Sequence, residues 1–191
     1  MEIIKELKHH MPFTLSASIL AVIIAVIIYF SKLQVSASAF EILHPAHIFV
    51  SAVVSSALYY KYKKNIFLAF LIGIISSVIV GSLSDIVLPY IGGTLLQIDI
   101  SFHLPLIETP LIILASASIG TAIGMAAKFT KFPHFIHILV STFASMFYLL
   151  AFTPSFNLFY LVASLVIVFI AVLIPCCISD IVFLLLFVRK R

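Results

Sequence analysis

Residues 11–30 read MPFTLSASILAVIIAVIIYF, an apolar run that contains no charged side chain. A helix of roughly 20 such residues crosses the hydrocarbon core of a bilayer. Lys5 and Lys8 precede the run, as basic residues precede the apolar core of a signal peptide, and Ala37-Ser38-Ala39 resembles a cleavage site. Because the run is longer than a usual signal-peptide core, we interpret it as a first transmembrane helix.

The whole chain has the composition of this run. Of its 191 residues, 63% are hydrophobic and 9% are charged, which is too little charge to cover the surface of a soluble domain. Short polar stretches separate further apolar segments, which together predict an all-α integral membrane protein with six transmembrane helices. The predicted helices are 11–31, 40–60, 66–89, 108–127, 134–152 and 158–188.

The basic residues indicate the orientation of these helices. The chain has 11 Lys and Arg residues, and six alternating helices place all of them except Lys32 on one side of the membrane. Since basic loops stay in the cytoplasm, both termini of this multi-pass protein of the cell membrane are predicted to be cytoplasmic. The basic residues behind the net charge of +4 then lie next to the lipid bilayer, which is the expected partner. No nucleic-acid partner is expected.

Three short motifs recur in the second half of the chain. Residues 44–51 read HPAHIFVS and residues 134–141 read HFIHILVS. The other matches are Ser-Asp-Ile-Val at 84–87 and 179–182, and Ser-Ala-Ser-Ile at 16–19 and 116–119. This order predicts a duplicated unit of three helices, with the first copy in 1–95 and the second in 96–191. Because three is odd, the second copy is inverted, an arrangement that recurs in secondary transporters.

Small residues recur at four-residue spacing on the third and fourth predicted helices. Such faces let helix backbones approach closely in lipid. We expect these residues to pack helices together, and a face of this kind that stays exposed allows a homodimer. The residues are Gly73, Ser77 and Gly81 on the third helix and Ser116, Gly120 and Gly124 on the fourth.

The side chains that can bind a metal are predicted to gather toward the two membrane faces. Residues three apart share one face of a helix, so both members of each His-x-x-His pair can point at one site. Imidazole, carboxylate and thiolate groups are ligands of zinc, iron and manganese, and a cysteine favours zinc. The predicted outer site consists of His44, His47, Asp85, His103 and Glu108. The predicted inner site consists of His9, His10, His134, His137, Cys176 and Asp180.

These residues also have a structural interpretation. A histidine at a helix start is often an interfacial residue, and a serine stripe such as Ser51 and Ser55 after His47 more often makes helix contacts than lines a path. An aspartate inside a span is costly unless it has a partner. Asp85 and Asp180 therefore favour a functional site over a purely structural one.

The mirrored sites predict a membrane transporter of a divalent metal cation, namely zinc, iron or manganese, with zinc as the expected ion. One alternative is an intramembrane metal-dependent hydrolase that acts on a lipid. Two others are a proton-coupled transporter of a small solute and a di-haem b-type electron-transfer protein. A transporter is favoured over an enzyme because the sequence offers two similar sites rather than one. The sequence has no Gly-rich phosphate-binding loop, so direct use of a nucleotide is not expected.

Overall fold

The computed structural model describes residues 2–126, 132–154 and 157–178, and the side chains within 11–126, 136–154 and 157–176. These ranges are helical, with short connections and no strand between the helices. A π-helical turn, Leu83–Val87, joins α3 to α4 without a break. The helices are α1 (Glu2–Phe30), α2 (Ala37–Lys63), α3 (Ile66–Ser82), α4 (Leu88–Leu95), α5 (Pro105–Glu108), α6 (Pro110–Ala126), α7 (Phe132–Phe152) and α8 (Leu158–Ile178).

Several helices have the length and composition of membrane spans. Large apolar side chains such as Phe30, Ile66 and Leu111 point outward and are mostly exposed, which a water-facing surface rarely shows over so wide an area. The chain therefore has the helices and the surface of a membrane protein. The segments long enough to cross are Met11–Phe30, Ala37–Lys63, Ile66–Leu95 and Leu158–Cys176, and two shorter apolar helices are Pro110–Ala126 and Ile136–Phe152.

The helix ends differ from the predicted ones where local chemistry overrides hydropathy. The third segment continues through the π-helical turn to Leu95 instead of ending at residue 89. The fourth segment is interrupted at Thr109, whose backbone lies at φ −131° and ψ 54°. Pro110 follows it, and a proline disfavours helical geometry at the preceding residue. Residues 179–188 of the sixth predicted helix lie outside the described ranges.

The glycines on α3 and α6 bring these helices close to α2. A Cβ atom on Gly120 would overlap the carbonyl oxygen of Phe49, and a Cβ atom on Gly124 would overlap that of Val53. Gly81 of α3 also lies directly against α2. The predicted packing through small residues is confirmed at these glycines. These glycines make contacts within the chain, and the homodimer predicted from the small-residue faces stays a prediction.

Contacts with α2 give the directions of α6 and α7. Phe40 near the start of α2 contacts Tyr148 near the end of α7, whereas His47 contacts His137 near the start of α7. The two helices are therefore antiparallel. The contacts of Gly120 and Gly124 advance along α2 in the same order, so α6 runs parallel to α2. Polar side chains of α2, α3, α7 and α8 consequently meet inside the bundle.

Candidate metal centre

Asp85 lies in the π-helical turn and is fully buried. A π turn widens the helix locally and is frequent at functional sites. The hydroxyl of Ser145 on α7 lies 2.9 Å from the carbonyl oxygen of Ser84 in this turn. The same hydroxyl lies 2.8 Å from the Ser141 carbonyl oxygen of its own helix, so its single proton is shared between α7 and the π-helical turn. This shared contact between helices helps to fix the position of the carboxylate.

One oxygen of Asp85 receives two imidazoles from α2. The Nδ1 atoms of His44 and His47 lie 2.9 Å and 2.8 Å from Oδ2 of Asp85. An ionised carboxylate only accepts hydrogen bonds, so both Nδ1 atoms donate a proton to it. The two Nε2 atoms point away from the carboxylate, are buried, and have no hydrogen-bond partner among the described residues.

The other oxygen of Asp85 receives two hydroxyls. Ser84 donates to Oδ1 over 2.7 Å, and Ser141 of α7 lies 3.2 Å from the same atom. A carboxylate has about four lone-pair positions, and four groups now occupy them. The carboxylate is therefore a fully used acceptor that ties α2 and α7 to the π-helical turn.

A group of three possible metal ligands lies beside this carboxylate. His47, His137 and Cys176 each offer one ligand atom, and these atoms all lie within 4.8 Å of one another. The rings of the two histidines stack with centroids 4.9 Å apart. All three side chains are buried, and they come from three different helices. Two imidazoles and a thiol in this arrangement suit zinc or another ion that accepts nitrogen and sulfur ligands.

Asp85 has the position of a carboxylate that supports a metal ligand. Histidines that bind metals commonly donate their second ring N–H to a carboxylate, which fixes the tautomer and the ring orientation. Here Asp85 accepts from Nδ1 of His47, so that Nε2 of this ring is left with its lone pair for an ion. Cys176 is also tied to the carboxylate, because its Sγ lies 3.7 Å from the Ser141 hydroxyl.

His103 and Glu108 form a separate pair. The Nδ1 atom of His103 lies 2.9 Å from Oε1 of Glu108, and the glutamate side chain is about half exposed. The ring of Phe40 contacts His103 on one side and stacks on His44 on another. The pair that was predicted to join the outer site is thus linked to it only through an aromatic ring.

The predicted ligands that the structure describes are not divided between two sites at opposite membrane faces. His47 belongs to the predicted outer site and His137 and Cys176 to the predicted inner one, yet these three side chains lie together. The remaining predicted inner ligands are outside the part of the chain whose side chains are described. They are His9, His10, His134 and Asp180.

Two further residues of the centre were absent from the predicted sites. Ser84 and Ser141 supply the hydroxyls that hold Oδ1 of Asp85. Both lie inside the repeated motifs, next to Asp85 and one turn after His137. Their position in the repeats was a usable signal, although a serine in a membrane helix more often bonds to its own backbone.

Comparisons with known proteins assign no family to the chain, so its function is argued from the geometry of the centre. No protein-family model matches the chain, and no curated protein and no solved structure shows a significant similarity to it.

Proposed function

We propose that the chain is a membrane transporter of a divalent metal cation, with six transmembrane helices and both termini in the cytoplasm. The observation that carries this proposal is the buried group of His47, His137 and Cys176 beside the Asp85 carboxylate. When an ion displaces the thiol proton of Cys176, the buried carboxylate and the resulting thiolate together carry two negative charges, which match the charge of a divalent cation. Groups of this kind are costly inside a membrane and are retained where an ion or a proton is handled.

The depth of the centre fits an ion halfway through the membrane. At 1.5 Å per residue, His47 lies about 15 Å along its helix from Ala37. By the same measure Asp85 lies about 15 Å before Leu95, at the corresponding end of the antiparallel segment. With Ala37 and Leu95 at one surface of the hydrocarbon core, which is about 30 Å thick, His47 and Asp85 would fall near its middle, where transporters commonly hold their substrate.

The helices are irregular at the positions that carry the candidate ligands. Pro45 lies between the two histidines of α2, and Pro175 precedes Cys176 in α8. A proline inside a helix removes one backbone hydrogen bond, and the π-helical turn at Asp85 disturbs a third helix. Interrupted helices at the binding site are a feature of transporters that expose one site alternately to each side.

The pattern of helix contacts supports an inverted repeat of three helices. In such a repeat α1, α2 and the segment containing α3 correspond to α6, α7 and α8. In the structure α1 packs on α7 and α8, while α6 packs on α2 and α3. His47 and His137 hold equivalent places in the repeated motif, and equivalent residues of a two-fold arrangement meet only near its axis. Asp180, His134, His9 and His10, whose side chains lie outside the described residues, stay predicted ligands of the cytoplasmic part of the ion path.

Flux of metal into proteoliposomes tests the proposed transport. The purified chain is reconstituted with a zinc-sensitive dye inside the vesicles, and the variants Asp85→Asn and Asp180→Asn are compared with the wild type. We expect each variant to lose most of the flux, whereas Asp99→Asn, which changes an exposed acid, keeps it. Unchanged zinc flux in both Asp85→Asn and Asp180→Asn, at equal protein incorporation, would refute metal transport by these acids.

One observation favours the hydrolase as a second candidate. An apolar groove of about 480 Å³ opens between the α4 region and α8, and its lining includes Leu88, Leu95, Ile167 and Ala171. Leu88 lies one turn after Asp85, so a lipid chain in the groove would reach toward the centre. Turnover of phospholipid by zinc-loaded protein, together with an absence of zinc flux, would select the hydrolase over the transporter.

A further inference from the structure

The three candidate ligands are spaced for a small cation after a minor adjustment. Zinc binds sulfur at about 2.3 Å and imidazole nitrogen at about 2.0 Å, so that two ligands of one tetrahedral ion lie about 3.5 Å apart. The ligand atoms of His47, His137 and Cys176 lie within 4.8 Å of one another. The largest separation thus has to shrink by at most about 1.3 Å, a distance that rotations of side chains can supply.

The carboxylate of Asp85 is already committed to other partners. Its Oδ2 atom accepts from His44 and His47, and its Oδ1 atom accepts from Ser84 and Ser141. Binding an ion through either oxygen would displace at least one of these donors inside the protein, where an unpaired donor is expensive. The carboxylate is therefore placed to orient His47 and to balance charge, and not to coordinate the ion.

We infer that the substrate is a thiophilic divalent cation of the Zn²⁺ and Cd²⁺ class, coordinated by His47, His137 and Cys176, with Asp85 as a positioning residue. This inference rests on the metal binding of the proposed function and narrows its substrate. Mn²⁺ and Mg²⁺ prefer oxygen ligands, and the one carboxylate that the described residues bring to this centre is occupied by its four hydrogen-bond donors. A centre with two imidazoles and a thiolate selects against them.

Cobalt titration of the full chain in detergent tests the ligand set. Co²⁺ takes zinc sites, and a thiolate ligand produces a strong charge-transfer band in the near ultraviolet. We expect this band in the wild type and in Cys177→Ser, which alters the neighbouring thiol, and its complete loss in Cys176→Ser. Cd²⁺ should abolish the band at a concentration at which Mn²⁺ leaves it unchanged.

The Asp85→Asn variant separates positioning from coordination. A supporting carboxylate typically changes metal affinity about 10- to 100-fold. We therefore expect Asp85→Asn to bind Co²⁺ that much more weakly, yet to show the full band at saturation, because the sulfur ligand is intact. A loss of folding alone would not give an unchanged band at a shifted midpoint.

Zinc-edge X-ray absorption on the wild type provides a measurement that needs no variant. One sulfur and two imidazoles around the zinc are expected, and a shell of oxygen ligands without sulfur would overturn the inference. It would also be overturned by a cobalt band that survives Cys176→Ser, or by equal displacement with Mn²⁺ and Cd²⁺. A protein that binds zinc through sulfur but moves no zinc into vesicles would instead contradict the transport proposal alone.

Discussion

Replacing Asp85 by asparagine tests whether the buried carboxylate acts through its charge or through its shape. Asparagine keeps nearly the same volume and one acceptor oxygen. With that oxygen toward α2, it still accepts from Nδ1 of His44 and His47, and the two serine hydroxyls can turn to accept from its NH₂ group. The substitution therefore keeps four hydrogen bonds, reverses the direction of the two with the serines, and removes the negative charge.

The cost of this change can be worked out from the two imidazole bonds of 2.9 Å and 2.8 Å. A hydrogen bond to a charged group contributes about 1.5–3 kcal/mol and a neutral one about 0.5–1.5 kcal/mol, so each bond loses about 1 kcal/mol. The two imidazole bonds alone should therefore cost Asp85→Asn about 2 kcal/mol, and the weakened bonds with Ser84 and Ser141 add to this loss. Asp85→Ala leaves both imidazole N–H groups without an acceptor and opens a cavity, which should cost about 4 kcal/mol or more.

Unfolding of the purified chain in mixed micelles, with increasing denaturing detergent, measures these differences. Asp99→Asn serves as the matched control, because the same chemical change at this exposed position should alter stability by less than about 0.5 kcal/mol. The reasoning fails if Asp85→Asn is as stable as the wild type, since the charge would then contribute nothing. It fails equally if Asp85→Asn and Asp85→Ala lower the stability by the same amount, since the hydrogen bonds that asparagine keeps would then contribute nothing.

Three further variants probe the elements around the centre. Gly124→Ala should lose about 1–3 kcal/mol in the same unfolding assay, because its methyl group would overlap the backbone of α2; full stability would contradict the close contact. Ser145→Ala removes the hydroxyl 2.9 Å from the Ser84 carbonyl, so a loss of about 1 kcal/mol is expected, and a change below about 0.3 kcal/mol would show that the bond does not hold the π-helical turn. Glu108→Gln should leave both stability and cobalt affinity near wild-type values, because the glutamate of the pair with His103 is half exposed; a large fall in cobalt affinity would place Glu108 in the ion path.

The helical class and the membrane character were predictable from the sequence because they depend on hydropathy summed over many residues. Each predicted segment overlaps an observed helix, and the glycines of α3 and α6 pack as their spacing indicates. The π-helical turn was not predictable, since the sequence Leu-Ser-Asp-Ile-Val of residues 83–87 does not distinguish a π turn from an α turn. The break at Thr109 was predictable in principle from Pro110, but hydropathy alone runs through it.

The grouping of the candidate ligands was only partly accessible from the sequence. Three-residue spacing on α2 predicts that His44 and His47 share a face, and both do contact Asp85. The order of the helices in the sequence predicts that His137 lies at the opposite membrane face from His47, because it gives only the membrane face at which each helix starts. Depth inside a bundle depends on where two antiparallel helices cross, and no local pattern encodes that crossing.

The meeting of His47 and His137 makes a single central ion position compatible with a duplicated sequence. If the two three-helix units are related by a two-fold axis in the membrane plane, each contributes the same histidine of its motif, and the two rings come together where the axis passes. An ion held there has one equivalent ligand from each unit. A rocking of one unit against the other can then open the path to either face while both imidazoles stay near the ion. The duplication would therefore supply two mirrored routes to one shared position, rather than two independent binding sites.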